Sequence, residues 1–160
     1  MIPIEYKTGD ITKIDIKDRA IIIHCCNNLG LMGAGVALAL RKKWPKVYIQ
    51  YREKYEKEGL ELGEVDFVKI NKNLVIANMI GQEGIKTKKD KIPISYEAIE
   101  ECLDKIYNIA KKYNAIVIGP KFGAGLAGGD WKIIEELIIR CLSEKDISVF
   151  IYETRKVESL

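Results

Sequence analysis

His24, Asn27 and Asn28 follow the apolar run Ala20–Ile23, and five residues beyond Asn28 the chain enters Gly33-Ala34-Gly35. Imidazole has an ordinary pKa of ~6.5 and so can give and take a proton near neutrality; His24 is the single histidine of the chain. A carboxamide donates and accepts hydrogen bonds without changing charge, which suits it to orienting a substrate. Gly33-Ala34-Gly35 passes straight into Val36–Leu40, a run of helix formers. A glycine turn that opens a helix lets backbone approach an anion closely, and the unpaired N–H groups of the first helical turn point toward it. The spacing lacks the Lys-Ser/Thr of a P-loop and differs from the dinucleotide fingerprint. Alone, such a turn also serves packing.

It is not alone. Ala115–Ile118 is a second short apolar run, and glycines at 119, 123, 125, 128 and 129 separate it from Asp130. Helical spacing follows at Trp131, Ile133, Ile134, Leu137, Ile138 and Cys141. Two glycine-rich loops, each between a buried strand and a helix, imply two donor-lined walls at one end of a sheet. The gap between them fits a ligand with two phosphates. His24 and Asp130 each have two readings. His24 is a proton acceptor or a strand-end residue satisfied by the backbone. Asp130 is part of the chemistry or the N-cap of the helix it precedes.

The remaining elements must position these groups. Ile2–Tyr6 alternates as a first strand, with Pro3 suggesting a sheet edge. Thr8–Thr12 breaks it, and Asp10 or Thr12 can cap a short helical turn; Asp10 is that cap or a ligand contact. A helix over Val36–Lys43 ends at Trp44-Pro45, and another starts at Lys46 and stops before Gly59. Val65–Ile70 and Leu74–Asn78, joined by Asn71–Asn73, form an antiparallel hairpin. Gly81–Lys91 carries four lysines without periodicity, the pattern of a solvated loop or of a flap over an anion. Ser95 caps a helix with Tyr96, Ile99, Leu103, Ile106, Ala110 and Tyr113 on its apolar face. Ile147–Tyr152 is the last strand. Strands alternating with helices, plus one hairpin, predict an α/β three-layer sandwich: a mixed, mostly parallel sheet with helices on both faces.

At 160 residues, with 48% hydrophobic and 31% charged residues, the chain is expected to be one domain, 1–160, with a single substantial core. A net charge of +3 is too small to argue for nucleic acid by itself. No run reaches the ~20 apolar residues that span a bilayer, so a cytoplasmic monomer without membrane contact is expected. Cys25, Cys26, Cys102 and Cys141 lack Cys-x-x-Cys spacing and are expected to be reduced thiols. With one histidine, no metal site and no cofactor are expected.

Four pieces in order carry a resemblance: Thr8–Thr12 after the first strand, Ile23–Asn27 ending the second, Gly33–Val36, and Gly123–Trp131. Through them the chain resembles a macrodomain, the ADP-ribose-binding α/β module, over nearly its whole length. More narrowly, Ile23-His24-Cys25-Cys26-Asn27 resembles the compact branch of ADP-ribose 1″-phosphate phosphatases and terminal ADP-ribose protein glycohydrolases. The resemblance implies that Gly9, Asp10 and the Ile11 backbone meet the adenine and that Asn27 meets the distal ribose. Backbone N–H groups of Gly33, Ala34, Gly35 and Val36, and of Gly123, Ala124, Gly125 and Leu126, would hold the two phosphates. The glycohydrolase branch pairs a lysine with an aspartate of the second glycine loop. Here Ala127 stands at that acid's position, and Lys86, Lys88 and Lys89 are the available lysines. His24, where many macrodomains have asparagine, favours the phosphatase branch, with His24, Asn27 and Asp130 as catalytic candidates. Removal of ADP-ribose from modified protein or nucleic acid, and non-catalytic ADP-ribose binding, are the alternatives.

Overall fold

A computed structural model describes residues 1–85, 93–123 and 128–154. Among the described residues six strands form one sheet in the order β1-β6-β5-β2-β4-β3, with β1 at Glu5–Thr8, β2 at Ala20–Asn27, β3 at Val65–Asn71, β4 at Leu74–Gln82, β5 at Ile116–Pro120 and β6 at Val149–Glu153. All neighbouring pairs are parallel except β3 with β4, the expected antiparallel hairpin. Helices α1 (Gly35–Lys43) and α2 (Lys46–Glu58) cover one face of the sheet, and α3 (Tyr96–Tyr113) and α4 (Trp131–Cys141) cover the other. The three-layer α/β architecture read from the sequence is the one observed.

Strand alternation divides β2 between the layers. Ile21 and Ile23 pack with Ile99, Leu103 and Ile106 of α3, while Ala20, Ile22 and Cys26 pack with Leu40, Val47 and Tyr51 of α1 and α2. A strand covered on both faces must be apolar at every position, which is why Ala20–Ile23 runs without interruption. Helix ends follow local chemistry. Ser95 Oγ accepts from Ala98 N–H at 3.2 Å at the start of α3, and Asn114, left-handed at φ 52°, ends it.

Three boundaries differ from expectation. The first strand is Glu5–Thr8, not Ile2–Tyr6, because parallel pairing with Phe150–Glu153 sets its span; it does lie at the sheet edge. The last strand is Val149–Glu153, not Ile147–Tyr152, and it lies inside the sheet, between β1 and β5. β4 runs on to Gln82 instead of stopping at Asn78, because it pairs with β2 through Asn27. Of the Gly81–Lys91 stretch, Gly81 and Gln82 therefore belong to β4, and residues 86–91 lie outside the described residues. No helix among the described residues is long and apolar enough to cross a membrane.

Candidate active site

β2 pairs with β4 along its whole length but with β5 only from Ala20 to Ile22. Beyond Ile22 the two parallel strands part. From β2 the chain continues to the β4 side of the sheet and from β5 to the β6 side, so the gap lies at a topological switch point, where open α/β sheets bind ligands. A cleft of about 550 Å³ fills this gap at the carboxyl ends of the strands. Its walls are the Leu31–Ala37 segment on one side and Pro120–Gly123 on the other; Cys25–Asn27 underlie it, and Gln82 and Ile85 close one end.

The first wall is built for an anion. Ala34 is extended (φ −151°, ψ 163°), and its methyl side chain offers no acceptor to the N–H groups that begin α1. Gly35 follows in the left-handed region at φ 58°. A Cβ added to Gly33 or Gly35 would meet nothing within 4 Å, so these glycines face open space. The first turn of α1 thus presents N–H groups that no side chain caps, at the positive end of the helix dipole.

In the second wall, Gly129 N–H donates to the Gly123 carbonyl at 2.8 Å and closes the loop at its base. Gly123 has φ 76°, and a Cβ there would come 2.7 Å from Ile134 Cδ1 and 2.8 Å from Ile94 Cδ1. A Cβ on Gly129 would come 2.4 Å from the Gly123 carbonyl oxygen. Only glycine fits at either place. Ala124, Gly125, Leu126 and Ala127 lie outside the described residues. Lys121 lines this wall, its ammonium paired with the Glu153 carboxylate at the end of β6 and 5.8 Å from the centre of the Tyr6 ring.

The polar residues singled out from the sequence are brought together unevenly. Asn27 lines the cleft, but its amide is engaged by its own loop. Oδ1 accepts from Leu29 N–H at 2.9 Å, Leu31 N–H at 3.3 Å and the Tyr51 hydroxyl at 3.0 Å, and Nδ2 donates to the Leu31 carbonyl at 2.9 Å. Asn27 therefore braces the turn that delivers the glycines. Asn28 does the same for the neighbouring strand: its Oδ1 accepts from Gly84 N–H at 2.9 Å.

His24 borders the cleft with a ring that is only 2% exposed and not in the setting a general base requires. Its Nε2 lies 2.5 Å from Asn78 Oδ1. Asn78 Nδ2 donates to the Val47 carbonyl and to Asp66 Oδ2, both at 3.2 Å, and Gln50 Nε2 donates to Asp66 Oδ1 at 2.8 Å. Asn78 Oδ1 is an acceptor, so Nε2 carries the proton, and the Cys26 sulfur lies 3.5 Å from Nε2 and 3.7 Å from Nδ1. Burial pulls the imidazole down to about 4, against a smaller upward pull from Asn78, so the ring is neutral at pH 7. In place of the backbone partners expected for a structural His24, its ring meets the side chains of Asn78 on β4 and Cys26 on β2.

Asp130 follows its structural reading. Its carboxylate accepts from Lys132 N–H at 2.9 Å and caps α4, and it is not among the cleft-lining residues. Gly9, Asp10 and Ile11 stand beyond the lining, at the β1–β6 side. Asp10 Oδ1 accepts from Thr12 N–H at 2.8 Å and Thr12 Oγ1 at 2.7 Å, capping a 3-10 turn over Ile11–Lys13. Those bonds hold its carboxyl below the usual range. The turn packs against α1 and β5, two elements whose ends also line the cleft.

Of the lining residues not named as site residues from the sequence, Gln82 and Ile85 fall in the Gly81–Lys91 stretch read as a solvated loop or a flap over an anion, and Lys121 and Phe122 fall within the second glycine loop. All four cysteines are unbridged. Cys25 and Cys26 face opposite layers as strand neighbours must, and burial pushes the Cys25 thiol up to about 12. Among the described residues no cluster of three His, Cys, Asp or Glu could hold a metal ion.

The Macro domain family model matches residues 23–138. The Danio rerio chromodomain-helicase-DNA-binding protein 1-like is 33% identical over 98% of this chain, which spans only 16% of that protein's length. A Mycobacterium tuberculosis DNA ADP-ribosyl glycohydrolase is 24% identical over 93% of this chain, which covers 42% of it. A Candida albicans ADP-ribose 1″-phosphate phosphatase is 26% identical over 84% of this chain and 91% of its own. The structure of a macrodomain protein from Streptomyces coelicolor superposes with a TM-score of 0.83 at 36% identity, covering 94% of this chain and 99% of the other.

Proposed function

The chain belongs to the Macro domain family, and from that premise we propose that the cleft between β2 and β5 binds ADP-ribose and that the chain is a hydrolase acting at the distal ribose. The substrate in this reading is ADP-ribose 1″-phosphate, released as ADP-ribose and phosphate. The observation that carries the binding step is the uncapped start of α1 facing the second glycine loop across a cleft of about 550 Å³. Dipoles on two opposed walls suit a diphosphate, which needs donors more than it needs formal charge. The Ile11–Lys13 turn, packed against α1 and β5, leaves Asp10 for the adenine, and Asn27, bracing its loop, sets the distal end. One chain supplies both walls, which accords with a monomer.

The resemblance to a phosphatase whose length this chain nearly matches supports the choice of substrate. His24 acts in this proposal as a positioning residue that supports Cys26 and Asn27 from below, and Asp130 as a helix cap. Asp130→Asn, which keeps an N-cap, therefore leaves both turnover and melting temperature unchanged. Lost turnover at an unchanged melting temperature returns Asp130 to the chemistry.

A second reading, a module that binds ADP-ribose without catalysis, is favoured by one observation. Among the described lining residues no carboxylate faces the cleft, and His24 is neutral and engaged. Calorimetric titration with ADP-ribose and AMP tests binding, since only the diphosphate engages both walls; equal affinities would sink it. Phosphate release from ADP-ribose 1″-phosphate, measured beside ADP-ribose release from modified DNA and modified protein, then separates the readings. Release from DNA would place the chain with its glycohydrolase relative, and no release from any substrate would make it a binding module.

A further inference from the structure

The cleft opens at the carboxyl ends of the strands, and a group of cations stands at their amino ends. Ala20 N–H donates to the Asn73 carbonyl at 2.8 Å and Ile116 N–H to the Arg19 carbonyl at 2.9 Å, so Arg19 and the turn before β4 meet where β2, β4 and β5 begin. Lys72 is in that turn, Lys111 and Lys112 end α3 just before β5, and Lys145 precedes β6. These cations extend over the spacings from β6 to β4, about 14 Å. All are exposed, and among the described residues none of them belongs to an ion pair. Of the acids at this end, Asp146 is held by the terminal ammonium at 3.1 Å, while Asp18 and Glu144 adjoin Arg19 and Lys145. The helix dipole accounts for Lys111 and Lys112 in the last turn of α3. It does not account for Arg19 or Lys72, which lie outside helices.

Aromatic rings are set among these charges. The Lys145 and Lys111 ammoniums lie 4.7 and 5.9 Å from the centre of the Tyr107 ring, on a groove of about 430 Å³ that Asn114 and Ser148 also line. Tyr113 is 46% exposed. The Lys112 ammonium is 5.3 Å from its ring centre, and Arg19 Nη1 donates to its carbonyl at 3.5 Å. Cations along a groove beside an exposed aromatic ring can hold a phosphodiester chain by its backbone while a base stacks on the ring. A duplex, whose bases are already stacked, has no use for the ring. We propose that this end of the sheet docks single-stranded nucleic acid, its phosphates following the cations and a base stacked on Tyr113. The surface lies opposite the cleft, so docking there is independent of what the cleft binds.

Fluorescence anisotropy with labelled oligothymidylate and oligouridylate of about 20 nucleotides, at several salt concentrations, tests the surface in the full chain. At least one of them binds at low salt, the tighter naming the sugar the surface accepts, and log affinity falls with log salt concentration. Lys111→Gln combined with Lys145→Gln weakens binding about 10-fold and flattens the salt slope by roughly 1 or more. Tyr113→Ala weakens binding about 10-fold without changing the slope, because it removes a stack and no charge. Both variants keep wild-type calorimetric titrations with ADP-ribose, which also shows that they are folded. Wild type that binds neither oligonucleotide overturns the proposal, and vesicles containing anionic lipid that bind in their place would make this end a membrane surface. Strand binding that saturating ADP-ribose abolishes overturns it as well, since the strand would then lie in the cleft. So does a duplex of the same length that binds as tightly, or a Tyr113→Ala variant that binds like wild type.

Discussion

Gly35→Val weakens ADP-ribose binding by about 100-fold or more, equivalent to roughly 2.7 kcal/mol. The position combines two constraints that no other glycine of the first loop shares. Its φ of 58° lies in the left-handed region, where a β-branched residue is strained by ~1–3 kcal/mol. Its missing side chain points into open space, so valine meets no protein atom and instead occupies the volume where an anion would approach the start of α1. Relief of the strain turns the first N–H groups of α1 away from the cleft, and the bulk excludes what remains. Gly33→Ala is the control. A Cβ there also meets nothing, and Gly33 is not among the positive-φ glycines, so alanine costs ligand clearance alone and the loss is smaller. Calorimetry with ADP-ribose, beside melting curves, checks both. Gly35→Val that binds within a few-fold of wild type would show that the start of α1 does not hold a phosphate.

The second large effect is on stability and its pH dependence, at His24. Burial lowers the folded imidazole to about 4 from an ordinary value of 6.5, so between those values the unfolded chain holds about one proton more than the folded one. The stability that His24 contributes is complete above pH 6.5 and is lost as the pH falls toward 4. Over that window the loss approaches roughly 3 kcal/mol, and His24 is the only histidine that can produce it. Its neighbours act in opposite senses: Asn78 favours the charged ring slightly, but desolvation dominates. Urea unfolding of the wild type and of His24→Gln at pH 5 and pH 7 isolates the contribution. The wild type is destabilised between the two by the histidine, and His24→Gln lacks that part of the change, leaving only what the carboxylates produce. Equal pH dependence in both proteins would mean that the ring is hydrated in solution. His24→Ala at pH 7 costs about 3 kcal/mol, since it opens a cavity and leaves Asn78 Oδ1 without its donor. The effect expected from the sequence was on turnover; the buried hydrogen-bond chain moves it to the fold.

What the sequence determined by itself is local. The unbroken apolar run of Ala20–Ile23 requires a strand covered on both faces, and β2 is one. The turn at Asn71–Asn73 leaves room only for an antiparallel return. Gly33-Ala34-Gly35 before a helix puts uncapped N–H groups at its start, because neither alanine nor glycine has a side chain that can accept them. Asp130 before Trp131 could already be read as a cap, and that bond spans only two residues. In each case the partners are neighbours in the chain, so spacing suffices.

Tertiary structure decided the rest, because it depends on which distant residues meet. His24 shares a face with Ile22 and Cys26 by strand alternation, but only the pairing of β2 with β4 brings Asn78 beside it, and only the hairpin brings Asp66 to Asn78. That sequence of contacts turns a candidate base into a neutral buried brace. The Asn27 amide is engaged in the fold, since Tyr51 of α2 and the curled Leu29–Leu31 turn take its Oδ1 and one Nδ2 donor. The cleft itself exists because β5 pairs with β2 only as far as Ile22. Lys121 meets Glu153 across two adjacent parallel strands whose order no local pattern encodes. Local chemistry chose the elements and the donors, and register and strand order chose which polar groups remain for a ligand.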